Sequence, residues 1–244
     1  NLYLLEKKKE GLGADYAFAM KHAIAEMGAE VIVEMDADLQ HDPADLPRFA
    51  VQIDSGYDYV LGSRFIKGGT IPGDWQFHRK VLSVLGNFVS RLILGLPRIS
   101  DYTTGYKASR VKGFLDQIDL NHLESTGFAY KVHLLSQMVD LGAKVKEIPI
   151  SFANREKGVS KMEGNNWLET LRVIFKIKIK KSRQFVNRFS KYLAVGFLGL
   201  ILDFLGYVLL VKVFNFAPIY ASVISGQSAI VSNFIWNNRW TYAD

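Results

Sequence analysis

The run Glu34-Met35-Asp36-Ala37-Asp38-Leu39-Gln40-His41-Asp42-Pro43 follows directly on the apolar stretch Val31-Ile32-Val33. If a strand continues through it, Asp36 and Asp38 point to one side, because strand side chains alternate with period two, and Gln40 extends the row. Two carboxylates and an amide oxygen are hard donors, the ligand set of Mg²⁺ or Mn²⁺ rather than zinc. Such a site leaves room for substrate phosphates. The competing reading makes Asp36 and Asp38 plain acids beside a helix start. The chain has no cysteine, which removes disulfides and thiolate metal sites.

The elements that must hold this run are legible from periodicity. Leu2 to Leu5 reads as a short strand, and Ala17, Met20, Ile24 and Met27 give one apolar helical face that Gly28 ends. Val31 to Met35 is the next strand. Strand, helix and strand at this spacing predict a βαβ unit and a parallel sheet, whose ligands gather beyond the strand C-termini. Asp42 and Pro43 predict a cap and first position for a helix over Ala44 to Ile53. Further on, the pattern predicts a strand over Tyr57 to Gly62 ending in Ser63-Arg64, and a glycine-bearing loop over Lys67 to Gly73. A long apolar-faced segment from Trp75 to Leu94 and a polar loop from Asp101 to Gly105 follow. The last expected elements here are a helix over Leu134 to Leu141 and a strand over Val145 to Phe152.

The remainder has a different character. Tyr192 to Val211 holds one charge, Asp203, and Val213 to Asn238 holds none. About twenty residues at 1.5 Å rise cross a hydrocarbon core of roughly 30 Å, so two membrane-spanning helices are expected, with a buried helical hairpin as the alternative. Asp203 inside the first span is a functional candidate by default, or a partner for Asn or Gln on the second. The formal charge of +6 is concentrated: seven basic and no acidic residues lie between Lys176 and Lys191. That belt reads as juxtamembrane, and nucleic acid is a poor partner. Trp167, Leu171 and Ile174 or Phe175 share one helical side ahead of it, as an amphipathic interfacial helix does. With Lys212 alone between the spans and Arg239 after them, both outer flanks and the soluble part are expected to be cytoplasmic.

EMDADLQHDP, preceded by GLGADYAFAMKHAI, resembles the inverting GT-A glycosyltransferases that load sugars onto polyprenyl phosphates, most closely the dolichyl-phosphate mannose synthases. GSRF at 62–65, DYTTGYKASR at 101–110, STGFAYKVHLL at 125–135 and FANREKGVSKM at 152–162 agree in order. VSNFIWNNRWTY at 231–242 resembles the GtrA-like membrane domain fused to some members. The resemblance implies an α/β, Rossmann-like GT-A domain over residues 1–162, interface helices over 163–190 and a GtrA-like transmembrane hairpin over 191–244. Both ends read as cut, because the family has two further nucleotide-binding strands at its start and four spans at its end. His133 stands where many relatives are acidic.

The resemblance further implies mannose transfer from GDP-mannose to dolichyl or another polyprenyl phosphate at a lipid bilayer. Asp36, Asp38 and Gln40 are the implied ligands of Mg²⁺ or Mn²⁺, and Ala37 lets the nucleotide approach the backbone. Asp38, Arg64, Arg155 and Lys161 are the implied catalytic set, with Arg155, Lys161 and Ser160 on the phosphates and Arg79 a lesser candidate for the acceptor phosphate. A phosphate monoester carries about −1.5 to −2 charge near pH 7, so no general base is required. Arg64 as a surface charge, and residues 155–161 as a solvated loop, are the plainer readings. The rival functions are transfer of another sugar, such as glucose from UDP-glucose, and a non-catalytic membrane part in moving lipid-linked sugars.

Overall fold

Val31–Glu34 (β1), Tyr59–Ser63 (β2), Lys107–Arg110 (β3) and Val145–Pro149 (β4) form a four-stranded sheet in the order β1-β3-β2-β4. β3 lies antiparallel to both β1 and β2, and only β2 and β4 are parallel. The sheet is therefore mixed, not the parallel sheet expected from a βαβ reading. The computed structural model describes residues 3–8, 10–73, 75–153 and 165–243. Within them Tyr3 to Leu5 carry no strand and stand exposed. Apolar content suggested a strand there, but no sheet edge pairs with its backbone.

β2 is buried on both faces, and alternation sorts its side chains. Tyr59 and Leu61 face a core built with Leu12–Ala25 (α1), Tyr130–Asp140 (α4) and the first turns of Asn165–Lys212 (α5), through Met20, Leu134, Met138 and Ile174. Val60 faces the opposite core with Phe49 and Ile53 of Leu46–Asp54 (α2), Tyr106, Ala108, Ile148 and Ile150. Gly13 of α1 permits the close crossing on α4, since a Cβ there would meet the Tyr130 Cβ at 2.8 Å.

Several boundaries moved for local reasons. Asp42 caps a short 3₁₀ turn over Pro43–Asp45, its carboxylate accepting the Ala44 N–H at 2.8 Å, and α2 starts only afterwards. Phe77–Leu94 (α3) ends on Gly95, whose φ of 68° is the left-handed conformation that stops a helix. α4 begins a turn earlier than the apolar pattern suggested. The 101–106 loop leads into β3, a strand that the Lys107-Ala-Ser-Arg sequence does not advertise.

Two compact units divide the chain, residues 1–178 and 179–244. In the second, the later part of α5 packs on Pro218–Trp236 (α6) through Val195, Ala221 and Ala229, all buried. Ser225 Oγ donates to Asp203 Oδ1 at 2.5 Å, so the acid inside the apolar stretch is hydrogen-bonded to the neighbouring helix. Among the described residues one helix, over residues 167–212, is long and apolar enough to cross a membrane.

Candidate active site

β1 stops at Glu34, and Asp36 to His41 form an irregular turn. The row of three side chains expected on a continued strand does not form, because Leu39 takes a left-handed φ of 65° that breaks the alternation. Asp38 Oδ1 accepts the Gln40 N–H at 3.2 Å, closing an Asx-type turn. Asp36 Oδ1 accepts from the Tyr16 hydroxyl at 3.0 Å. Burial, reinforced by the charges of Asp36 and Glu34, pushes the Tyr16 phenol well above its ordinary range, so it stays a donor.

The Asp36 N–H donates to His41 Nδ1 at 3.2 Å, so that nitrogen carries no proton. The 3.9 Å approach of Nδ1 to Asp36 Oδ2 is accordingly not an ion pair. Burial lowers the imidazole from 6.5 to about 4, against the pull of Asp36 and with help from Lys131. On acidification the unfolded chain gains this proton near 6.5 and the folded one only near 4. Stability present above 6.5 therefore falls as pH drops through that window, by roughly 3 kcal/mol at full extent. His41→Gln is expected to flatten the fall in thermal midpoint between pH 7 and pH 5; an equal fall in both proteins contradicts the assignment.

Gln40 is buried and bonded twice to Ala153: its Nε2 donates to the Ala153 carbonyl, and its own carbonyl accepts the Ala153 N–H, both at 3.0 Å. The side-chain amide nitrogen is thereby fixed, which leaves Oε1 as the acceptor. Ring contacts extend the site from here. His41 lies 5.1 Å from Phe152, and Phe152 stands edge-on to Trp75 at 6.2 Å. Arg64 and Arg79 both lie over Trp75, at 6.0 and 4.1 Å. The structure thus gathers Asp36, Ala37, Asp38, Gln40, Arg64 and Arg79 around one aromatic cluster. Arg155, Ser160 and Lys161 lie outside the described residues.

Arg64 is more occupied than a phosphate-gripping arginine needs to be. Its Nε and Nη2 donate to Asp101 Oδ2 and Oδ1, both at 2.7 Å, and Nη2 also reaches Thr103 Oγ1 at 2.9 Å. Burial alone would raise the fully enclosed Asp101 carboxyl; the Arg64 guanidinium and two backbone N–H groups reverse this and hold it below the usual range. Glu147 of β4 accepts the N–H groups of Ser100 and Asp101. These contacts fix the start of the 101–106 loop against Arg64, just past β2, and against β4.

Sequence reasoning missed the charges beneath the turn. Glu34 and Lys107, 2% and 1% exposed, are opposite partners in the β1–β3 register and pair at 3.3 Å. Tyr130 donates to Glu34 Oε2 at 2.7 Å. Burial drags the Lys107 ammonium below its ordinary value, with Glu34 opposing. Lys131, 3% exposed, places its ammonium 4.7 Å from the Phe128 ring. Its burial lowers it to about 8 against the attraction of Asp36. The visible signal was a lysine among the apolar residues that open α4; what it faces was not visible.

The donor chemistry at the turn suits a divalent cation. Asp36 and Asp38 are half-buried carboxylates, Gln40 offers its Oε1, and no sulfur or imidazole nitrogen needs to take part. Among the described residues no group of three or more His, Cys, Asp or Glu side chains is placed to cage a metal alone.

Residues 2–116 match the family described as Glycosyl transferase family 2, and residues 191–244 match GtrA/DPMS, transmembrane domain. The chain is similar to polyprenol monophosphomannose synthase of Mycolicibacterium smegmatis, 41% identical over 67% of this chain and 60% of that protein. It is also similar to dolichol-phosphate mannosyltransferase of Pyrococcus furiosus, 32% identical over 97% of this chain and 64% of that protein. A third relative is undecaprenyl-phosphate mannosyltransferase of Micrococcus luteus, 40% identical over 64% of this chain and 62% of that protein. The chain spans about three-fifths of the length of these curated relatives. Residues 2–116 thus belong to glycosyl transferase family 2, and residues 191–244 to the GtrA/DPMS transmembrane domain family.

Proposed function

We propose that the protein transfers mannose from GDP-mannose to the phosphate of a polyprenol, with inversion, in a divalent-metal-dependent reaction at a membrane. The observation that carries this reading is the acidic turn itself: Asp36, Asp38 and the Oε1 of Gln40 beside two arginines on one aromatic cluster. The names of three relatives supply the mannosyl group and the polyprenyl phosphate.

An oxygen of the acceptor phosphate attacks the anomeric carbon, the bond from that carbon to the donor diphosphate breaks, and GDP leaves with the electron pair. Asp38 and Gln40, with Asp36 assisting by its charge, would hold Mg²⁺ or Mn²⁺, which when bound offsets the charge developing on the leaving diphosphate. Ala37, exposed and small, leaves the backbone open to the nucleotide. Arg64 fixes the 101–106 loop through Asp101, and its charge with that of Arg79 favours phosphate nearby. Arg155, Ser160 and Lys161 complete the phosphate-binding set. In the membrane unit we assign α6 as a second span and the basic belt between Lys176 and Lys191 to the cytoplasmic side, with the catalytic domain.

Membranes carrying the intact protein, supplied with polyprenyl phosphate and a panel of radiolabelled nucleotide sugars, test the reading. Lipid-linked label is expected from GDP-mannose and is expected to vanish with EDTA and return with Mg²⁺ or Mn²⁺. Labelling from a UDP-sugar instead would overturn the donor, and undiminished turnover in EDTA would overturn the metal.

A further inference from the structure

Lys131 is an ammonium that α4 carries into the sheet-end region, and among the described residues it donates no hydrogen bond. The residue as a whole is 3% exposed, yet its Nζ is not among the enclosed unpartnered polar atoms, so the ammonium still opens on space that a ligand can reach. Its nearest charged neighbour across Gly105 is Asp36: a Cβ built on Gly105 would lie 2.9 Å from Lys131 Nζ and 2.8 Å from Asp36 Oδ2. The two groups therefore face one small notch that exists because residue 105 has no side chain. No direct ion pair joins them among the described contacts.

The chemistry of the notch selects its occupant. Asp36 Oδ1 is taken by Tyr16, and His41 Nδ1 is an acceptor turned to the Asp36 N–H, so Oδ2 is the acceptor left for a ligand. One acceptor and one donor, of opposite charge and separated by a single small group, suit a neutral hydroxyl, which donates once and accepts twice. A phosphate is disfavoured here, since its oxygens would meet the Asp36 carboxylate. A second metal ion is disfavoured by the ammonium.

We infer that Lys131 is a donor-sugar-binding residue, its ammonium and Asp36 Oδ2 together holding one hydroxyl of the transferred sugar. This rests on the glycosyl-donor reading above. It gives the protein a contact to the sugar separate from the contacts to the diphosphate.

The test compares binding of a nucleotide sugar with binding of the corresponding free nucleoside diphosphate, both with Mg²⁺, by the intact protein and by Lys131→Met, Lys131→Gln and Gly105→Ala. The nucleotide sugar is whichever one the unsubstituted protein consumes. A preference for a donor other than GDP-mannose then overturns the donor proposed above, while the Lys131 comparison still returns its answer. Lys131→Met is expected to weaken nucleotide-sugar binding and raise the donor KM at least tenfold. Binding of the free diphosphate and the KM for polyprenyl phosphate are expected to stay within twofold. Lys131→Gln, which keeps a donor, is expected to regain part of the loss, and Gly105→Ala, which fills the notch, to reproduce it. Equal weakening of sugar-bearing and sugar-free nucleotide would overturn the inference, as would an unchanged donor KM in Lys131→Met. Should Lys131→Met fail to fold, Lys131→Gln and Gly105→Ala carry the same comparison.

Discussion

Asp38→Asn in the intact protein is expected to lower GDP release from GDP-mannose in the presence of polyprenyl phosphate by roughly a hundred- to a thousandfold. The substitution is chosen for what it keeps. Asparagine retains an oxygen to accept the Gln40 N–H, the bond that closes the turn at 3.2 Å. What it removes is the negative charge proposed to hold the divalent ion against the leaving diphosphate. The loss should appear in kcat, with the thermal midpoint unmoved, and higher Mg²⁺ should recover only part of it. An Asp38→Asn protein with a tenth or more of normal turnover would show that the cation, if present, is held elsewhere.

The largest expected effect on stability lies deeper. Lys107→Met leaves Glu34 charged, enclosed and without its cross-strand partner, a change expected to cost about 3–5 kcal/mol. For a domain whose total stability is of order 5–15 kcal/mol, that is a large fraction. A fall in thermal midpoint on the order of 10 °C follows from about 2–4 °C per kcal/mol at this size. The double variant Lys107→Met with Glu34→Gln removes both charges and keeps an oxygen for the Tyr130 hydroxyl, now at 2.7 Å from Glu34. It is expected to recover at least half of the loss. A single variant as stable as the parent, or a double variant no better than the single, would mean the pair is not the electrostatic unit that its burial suggests.

The contrast between these two sites explains what the amino-acid order could disclose. Asp36, Asp38 and Gln40 sit within five positions, so their shared chemistry is local and readable, even though a left-handed Leu39 replaces the expected strand geometry. The Glu34–Lys107 pair depends on the β1–β3 register, which joins residues far apart in the chain. Nothing in Lys107-Ala-Ser-Arg announces a strand; its backbone is held because neighbours on both sides pair with it. Leu2 to Leu5 is the converse, strand-like in composition, yet its described part, Tyr3 to Leu5, pairs with no strand among the described residues. Arg64 was legible as a charge near the site, but its bidentate bond to Asp101, across a loop and a helix, was not. Helix α1 was found because its apolar face repeats along the chain, and tertiary partners moved only its ends; α3 was legible only as a long apolar-faced segment.

The paired bonds between Gln40 and Ala153 make the acidic turn and the root of the following segment one mechanical piece. Any insertion or deletion immediately before Ala153 would drag the carboxylates with it, whereas changes in length placed beyond that anchor would leave them where they are. Exchanging the acidic turn between relatives should therefore keep turnover when residues 36–41 and the stretch around 153 are transplanted together, and lose it when either is moved alone.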